Sequence, residues 1–357
     1  MKLLIITQKI DINDDNLGFF HEWIKEFAEH CEQITVICLY KGKYNLPENV
    51  KVLSLGKEKL LNCYIVKLLY CWNFYKYIWQ ERKNYDAVFV HMNPEYIVLG
   101  GLWWKLWRKK ITLWYTHKSV NLKLRIATKL ADKIFTASEK SFRLVSKKVN
   151  IMGHGINIEQ FIPTYVPLLV KSGTTAGKPA LQSAKEKIIL SVGRISPTKG
   201  QLELVNFFYD LIKKLPDIKL HIVGAPILKA DKKYQQEIDD YIIKNNLTKH
   251  VKFFGSIANK NMPVIYRQAN VLVNLSTTGS LDKDVLEAMA CNVHPVTINK
   301  AFENILPTDN IAPDLSLVKD KILYFLQLPP SDKYRSIIEK KHNLKKLIAN
   351  IINAIKI

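Results

Sequence analysis

Two long cations stand in a turn that follows an apolar segment in the second half of the chain. In the stretch SVGRISPTKG, Gly193 ends the apolar segment, Arg194 follows it and Lys199 comes five residues later. The next residues, LELVNFFYDLIKKL, have the apolar spacing of an amphipathic helix. A helix N-terminus binds anions through its free amides, and nearby cations add charge-assisted hydrogen bonds. The pattern predicts a diphosphate site; its alternative is two solvated loop cations.

A carboxylate and a polar loop form a second candidate group. The segment STTGSLDKDVLEAMAC places Glu287 near the start of an apolar helix, after a loop that runs from Thr278 to Lys283. A carboxylate there can accept hydrogen bonds from two ribose hydroxyls, and loop amides can bind phosphate. The alternative for Glu287 is an ordinary acid that the helix dipole favours near a helix start.

Two histidines each follow a strand-like segment in the first half of the chain, His91 after DAVFV and His117 after ITLWYT. Ligands of parallel sheets bind outside the carboxyl ends of the strands, so we expect both side chains to face a ligand-binding cleft. Histidine can donate to a sugar hydroxyl or polarise a leaving group near neutral pH, and we expect this catalytic role of His117. The alternative for both is a hydrogen-bonded core histidine.

Strand-like and helix-like segments alternate through both halves of the chain, which predicts the α/β class with a doubly wound parallel sheet in each half. Residues 163–187 interrupt the alternation with three prolines and two glycines, a composition typical of a linker. The sequence therefore predicts two domains, a linker and a terminal helix that packs back on the first domain, with the boundaries 1–165, 166–183, 184–335 and 336–357.

These motifs together resemble a known family. VGRISPTKG, followed about 90 residues later by LEAMACNVHPV, is similar to family 4 of the retaining glycosyltransferases, and GHGINIEQF (153–161), IVGA (222–225) and VKFFGSI (251–257) also have counterparts there. The resemblance covers nearly the whole chain. It implies the GT-B fold, in which two Rossmann-like domains face a central cleft, the first binding the acceptor and the second the nucleotide-sugar donor.

The resemblance also implies roles for single residues. Arg194 and Lys199 would hold the donor diphosphate and stabilise its charge as it leaves, and Glu287 would bind the ribose. Gly18 would let the backbone approach the donor or acceptor closely, as glycine permits. The remaining donor-binding residues lie where the family contacts the base or in the loop before the last helix: Phe254, Gly255, Ser256, Gly279, Ser280, Leu281, Asp282 and Lys283.

One position departs from the family pattern. The family carries two glutamates with seven residues between them, and the first would fall at position 279, where this chain has Gly279. In the family that glutamate often contacts the donor sugar, and we expect Asp282 or Lys283, in the same loop, to take over part of this role.

The predicted function is the transfer of a sugar from a UDP- or GDP-sugar to a lipid-linked or polysaccharide acceptor, with retention of configuration. No metal site and no cofactor are expected, since the nucleotide-sugar is a substrate and the two cations can neutralise the diphosphate. Two alternatives remain open: a catalytically degenerate GT-B binding protein, suggested by Gly279, and a GT-B sugar-nucleotide epimerase, for which Glu22 and Glu95 are weak acid–base candidates.

Charge and aromatic content bear on location. The 53 Lys and Arg against 32 Asp and Glu give a formal net charge of +21, which favours anionic partners. The segments YCWNFYKYIWQERK (70–83) and WWKLWRKK (103–110) combine residues that suit a membrane interface with cations that suit anionic lipids. We expect a cytoplasmic protein, without a signal peptide or a transmembrane helix, that docks peripherally on the inner face of the cell membrane and binds no nucleic acid. The alternative is that these tryptophans are core residues.

Overall fold

Two compact units make up the chain in a computed structural model that describes residues 1–56, 64–163 and 186–356. The first unit comprises Met1–Asn157, Ala258–Lys260 and Lys341–Ile357, and the second comprises Ile158–Ile257 and Asn261–Lys340. The second unit begins at Ile158, whereas the predicted boundary at 165 and the predicted linker 166–183 lie outside the described residues.

The first unit is built on a parallel sheet of seven strands in the order β3-β2-β1-β4-β5-β6-β7. Apolar side chains fill both faces of its central strands, so those strands are continuous apolar runs, as buried parallel strands require. The short last strand was not predicted from the sequence. The strands are β1 (Lys2–Ile10), β2 (Gln33–Lys41), β3 (Val50–Ser54), β4 (Ala87–His91), β5 (Lys110–Trp114), β6 (Lys133–Thr136) and β7 (Val149–Ile151). The helices of this part are α1 (Phe19–His30), α2 (Tyr64–Gln80), α3 (Glu95–Leu106) and α4 (Leu122–Leu130).

The second unit contains a parallel sheet of five strands in the order β10-β9-β8-β11-β12. Its core joins the sheet to helices through residues such as Ile189, Phe208, Ile238 and Phe325. The two parallel sheets confirm the predicted α/β class. The strands are β8 (Ile188–Val192), β9 (Lys219–Val223), β10 (Val251–Phe253), β11 (Val271–Asn274) and β12 (His294–Thr297). The helices are α5 (Gln201–Lys214), α6 (Lys229–Lys244), α7 (Met262–Tyr266), α8 (Lys283–Ala290), α9 (Val318–Gln327) and α10 (Lys333–Lys341).

The final helix, α11 (Leu344–Lys356), belongs to the first unit. The Ile156 amide donates to the His342 carbonyl oxygen at 2.7 Å, and the Leu344 amide donates to the Ile156 carbonyl oxygen at 3.0 Å. The helix packs against α1 and buries one apolar stripe that recurs every three or four residues. That stripe is Leu344, Leu347, Ile348, Ile351, Ile352 and Ile355.

Hydropathy along the described helices bears on membrane topology. None of the helices in the described ranges is both long enough and apolar enough to cross a membrane.

Candidate active site

The loops after β8 and β11 meet at the point where the strand order of the second sheet reverses. Ligands of open parallel sheets bind outside the carboxyl ends of the strands at such a point. The Thr277 amide donates to the Thr198 carbonyl oxygen at 3.1 Å, which ties the two loops together. The residues predicted to bind the donor diphosphate and ribose therefore come from adjoining loops.

Glycine shapes the loop after β8. Gly193 and Gly224 end neighbouring strands with φ of 136° each, and a Cβ at position 224 would lie 1.9 Å from the Gly193 carbonyl oxygen. The buried Gln201 side chain then fixes the loop, since it donates to the Arg194 carbonyl oxygen at 3.0 Å and accepts from the Ser196 amide at 3.3 Å. The loop backbone that carries both cations is held before any ligand binds.

Lys199 ends a single 3-10 turn, and its ammonium donates to Asp282 Oδ1 at 2.9 Å. Its aliphatic stem passes over Gly193, where the Cε atom would lie 3.5 Å from an added Cβ. Burial disfavours the charged ammonium, but the carboxylates of Asp284 and Asp282 outweigh that cost and raise the pKa of Lys199. The site thus holds a protonated lysine at neutral pH.

Arg194 is exposed, and its Nε lies 3.8 Å from Asp231 Oδ2. Asp231 is buried and accepts hydrogen bonds from the Ile227 and Leu228 amides at 3.3 and 3.0 Å. This carboxylate is held in place at the start of α6, so a group of fixed position lies near the exposed Arg194 guanidinium.

Asp282 lies within a buried polar network. Its Oδ2 accepts from Asn274 Nδ2 at 3.2 Å and from Asn299 Nδ2 at 3.3 Å. Asn299 also donates to the Ser280 carbonyl oxygen at 2.7 Å. Both asparagines are almost fully buried, at 4% and 2% exposed. The network connects the ends of β11 and β12 to Lys199.

Asp284 adds a second carboxyl to this network, where it accepts from Asn274 Nδ2 at 3.2 Å. Burial, together with the charges of Asp282 and Glu287, raises the pKa of Asp284 to about 7, although Lys199 and Asn274 oppose the shift. The carboxyl group therefore titrates close to neutral pH.

Glu287 is buried, at 4% exposed, and both of its carboxylate oxygens are hydrogen-bonded. Lys283 Nζ donates to Oε1 at 2.5 Å, and the Tyr266 hydroxyl donates to Oε2 at 3.0 Å. Burial and the Glu287 charge raise the pKa of Tyr266 well above its ordinary value, so Tyr266 remains a donor. A ribose hydroxyl that binds Oε1 has to compete with the Lys283 ammonium.

The three residues predicted to meet the base follow β10, at the edge of the same sheet. The Phe254 ring lies 4.9 Å from the His221 ring, and the Lys252 ammonium lies 4.7 Å from the Phe254 ring centroid. Gly255 has φ of 66°, and its carbonyl oxygen accepts from the Gly224 amide at 2.8 Å. Ser256 is exposed.

Gly279 has φ of 62°, in the left-handed region that favours glycine. Leu281 is buried at 4% exposed, so its side chain anchors the loop. The missing glutamate is thus accompanied by a backbone conformation that disfavours a side chain at that position.

Gly18 and His91 lie in the first unit, after β1 and β4. A Cβ at position 18 would lie 2.3 Å from the Asp14 carbonyl oxygen, so the close approach that this glycine permits is to its own loop. His91 is 2% exposed, stacks on Phe20 with centroids 3.9 Å apart, and its Nδ1 lies 3.2 Å from Thr7 Oγ1. Burial lowers the pKa of His91 to about 3. This geometry favours a neutral core histidine, and the predicted acceptor contact of His91 has no support in it.

His117 follows β5 and is exposed, with its ring edge-on to Tyr115 at a centroid distance of 5.7 Å. It therefore has the accessibility that the predicted catalytic role needs, and that role stays a prediction.

Several site residues were not identified from the sequence. Asn274, Asn299, Asp284 and Tyr266 contact the predicted residues but carry no motif of their own. The available signal was position, since Asn274 ends β11 and Asn299 closely follows β12. Within the described ranges, no three His, Cys, Asp or Glu side chains are grouped as metal ligands. A cavity of about 480 Å³ beside α9, lined by Asp309, Leu317, Asp320, Lys321 and Tyr324, contains none of the predicted site residues.

Part of the chain is similar to known sequences. Residues 175–304 match the family model described as glycosyl transferases group 1. A 106-residue segment is 27% identical to mannosylfructose-phosphate synthase of Agrobacterium fabrum, over 29% of this chain and 23% of that protein. A 207-residue alignment with alpha-monoglucosyldiacylglycerol synthase of Acholeplasma laidlawii is 25% identical, over 50% of this chain and 48% of that protein. The chain thus spans less than half the length of these curated relatives.

Solved structures are similar in fold to this chain over its full length. The structure of Anabaena Alr3699/HepE in complex with UDP superposes with a TM-score of 0.73 and 16% identity, covering 100% of both chains. At this identity the likeness concerns the fold, which is GT-B.

Proposed function

We propose that this chain, of which residues 175–304 match the glycosyl transferases group 1 model, is a retaining glycosyltransferase that moves a sugar from a nucleoside diphosphate to an acceptor hydroxyl. One observation carries the proposal: Arg194, Lys199 and the loop before α8 meet at the switch point of the second sheet. A protonated lysine and an arginine at such a point suit a diphosphate.

In the proposed reaction the acceptor oxygen bonds to the anomeric carbon, and the bond from that carbon to the diphosphate oxygen breaks. The electron pair of the broken bond stays on the diphosphate, which also takes up the proton of the acceptor hydroxyl. Arg194 and Lys199 stabilise the charge that develops on the leaving group, which is a role that a metal ion has in other enzymes. His117 binds the transferred sugar or the acceptor, and Glu287 binds the ribose.

The base is proposed to be uracil or guanine. UDP is bound in the similar Anabaena structure, which supports the first choice. A relative named alpha-monoglucosyldiacylglycerol synthase supports a lipid or lipid-linked acceptor, and polysaccharide precursors are the other acceptor class that we propose.

An exposed aromatic surface on the first unit supports a peripheral membrane location. Helix α2 leaves Trp72 71% exposed and Trp79 49% exposed, and α3 leaves Trp103 39% exposed. The Trp79 and Trp103 rings lie 5.6 Å apart, so the surface is continuous across both helices. Trp104, by contrast, is fully buried, so the core alternative holds for that residue.

Cations accompany this surface. The Arg82 guanidinium lies 5.1 Å from the Trp79 ring, and Lys76, Lys105 and Arg108 are exposed on or beside the same helices. Large exposed apolar patches mark interaction sites, and Trp with Lys or Arg suits the interface of an anionic membrane. We therefore propose docking on the cytoplasmic face of the cell membrane.

The experiment is a donor screen with UDP-, GDP- and ADP-sugars in which nucleotide release is measured with and without lipid acceptors. We expect release from one base class, and a loss of about 100-fold in kcat/KM in Arg194→Ala. Lys244→Ala is the matched control, because it removes an exposed cation at the last residue of α6, at the other end of that helix from Asp231. Absence of release from every donor by the folded protein would favour the non-catalytic alternative. Conversion of the donor sugar without transfer would favour the epimerase.

A further inference from the structure

Asp282 stands where an aspartate ordinarily caps a helix. It is the residue that precedes α8, and capping aspartates accept from the backbone amides of the first turn. This side chain makes no such hydrogen bond. Its carboxylate turns instead toward the loop after β8, so the chain uses it for something other than the start of α8.

Each oxygen of that carboxylate has a defined protein partner. Oδ1 accepts from Lys199 Nζ at 2.9 Å, and Oδ2 accepts from Asn274 and Asn299 at 3.2 and 3.3 Å. The Asp282 side chain is 12% exposed and that of Lys199 is 19% exposed, so solvent screens the pair only weakly. Both oxygens of this carboxylate are thus engaged with protein groups.

The two asparagines are fixed in turn. Asn274 Oδ1 accepts from Thr297 Oγ1 and from the Ser276 amide, at 3.3 Å each. Asn299 Oδ1 accepts from the Ala301 amide at 3.0 Å. Their amide nitrogens must therefore point at Asp282, and the position of the carboxylate is set by β11 and β12.

We propose that Asp282 is a positioning residue that aims the Lys199 ammonium at the donor diphosphate, with Asn274 and Asn299 holding the carboxylate in place. An ammonium has three hydrogens, and the bond to Asp282 fixes one of them, so the other two have defined directions. The carboxylate of this loop thus acts on the leaving group through Lys199, whereas a glutamate at position 279 would contact the donor sugar directly. This inference rests on the proposed function and names a determinant of its leaving-group site.

The test compares Asp282→Asn, Lys199→Ala and the double variant with wild type. If the Lys199 ammonium is no longer oriented, kcat falls. Removal of the Asp282 negative charge beside the diphosphate, in contrast, favours nucleotide binding. We therefore expect kcat of Asp282→Asn to fall by about 10- to 100-fold, while the dissociation constant for UDP or GDP changes less than about threefold or tightens. Because Asp282 acts through Lys199, the second substitution adds no further loss in the Lys199→Ala background.

Asp217→Asn is the control, since Asp217 is an exposed aspartate between α5 and β9, outside the network and the loops of the site. Asn299→Ala tests the same idea independently, because it removes one hydrogen-bond donor to Asp282. We expect it to lower kcat as well, but by less than Asp282→Asn does. An unchanged kcat in Asp282→Asn, or losses that multiply in the double variant, would overturn the proposal. Multiplied losses would indicate direct contact of Asp282 with the sugar.

A readout without turnover separates this inference from the proposed function. In protein with ¹⁵N-labelled lysine, the Lys199 ammonium protons exchange slowly with water while the ion pair holds, and we expect fast exchange in Asp282→Asn. If wild type binds neither UDP nor GDP, the proposed function fails, and slow exchange that persists in Asp282→Asn rejects the positioning role independently.

Discussion

At the scale of single residues, the cations of the site are already paired before a donor arrives. Lys199 is paired with Asp282, Lys283 with Glu287, and Arg194 lies near Asp231. A buried charge without a partner is costly, so the pairing of Lys199 and of Glu287 offsets the cost of their burial. In the proposed function, a donor that binds at this site would exchange or extend these contacts, and its ribose would meet the Lys283 ammonium at Glu287.

Gly279 allows a test of why the family glutamate is missing. We predict that Gly279→Glu does not raise kcat/KM and lowers the melting temperature. The backbone there has φ of 62°, which costs a residue with a Cβ about 1–2 kcal/mol. Thermal denaturation and donor turnover measure the two effects, and Gly279→Asn, which tolerates this conformation better, serves as the matched variant. A more active Gly279→Glu enzyme would show that the loop simply lacks a carboxylate.

Asp284 makes stability depend on pH. Its pKa is about 7 in the folded protein, above the ordinary value of an aspartate, so the folded state binds more protons than the unfolded state between about pH 4 and 7. The free energy of unfolding therefore falls as pH rises through this range. We predict that Asp284→Asn melts a few degrees above wild type at pH 8 and close to it at pH 5.

Calorimetry at both pH values measures this difference. Asp217→Asn, at an exposed position, should leave the pH profile of the melting temperature unchanged. A variant that is equally destabilised at pH 5 and pH 8 would show that the Asp284 carboxylate stabilises the fold.

At the scale of elements, α2 shows how one helix serves two surfaces. Phe74 and Ile78 are buried, while Leu68, Trp72 and Tyr75 are exposed along the opposite face at helical spacing. From the sequence alone, each tryptophan could be either a surface residue or a core residue. Only its position on the folded helix decides which of the two it is. Trp79, Trp103 and Trp107 also line a cavity of about 360 Å³ with Tyr75 and Ile78.

The aromatic surface leads to a prediction about membranes. We expect wild type to cosediment with vesicles that contain phosphatidylglycerol, and binding to weaken about tenfold or more when Trp72, Trp79 and Trp103 are replaced by serine. Ile227→Ser combined with Ile243→Ser is the control, because both residues are exposed and apolar but lie in the second unit. Equal binding of the serine variant and wild type, or no binding of wild type, would contradict the docking proposal.

Elements were predictable wherever the local pattern was strong. The strand at ITVICLY is a buried apolar run, and α5 follows a glycine turn with a clear apolar stripe. The strand β7 has three residues, all partly or fully exposed, so it has no apolar pattern to detect. Asn274 and Asn299 were missed because their partners lie in other loops, and only the folded sheet brings them together.

At the scale of the whole molecule, the protein combines a formal charge of +21 with two parallel sheets. A positive field attracts nucleotides and anionic lipids, and added salt screens it over about 8 Å at physiological strength. The chain also brings Lys341–Ile357 back to the first unit, where α11 covers α1. Binding chemistry is thus concentrated in loops, while the sheets and α11 supply stability.

The most direct measurement of the central claim is calorimetric titration with UDP, GDP and ADP. We predict that wild type binds UDP or GDP, that Arg194→Ala and Glu287→Gln each weaken binding about tenfold or more, and that Lys244→Ala has no effect. Arg194 acts on the diphosphate and Glu287 on the ribose, so the two losses should appear with the same nucleotide. Binding that survives both substitutions, or no binding to any nucleotide by the folded protein, would contradict the assignment of the donor site to the second unit.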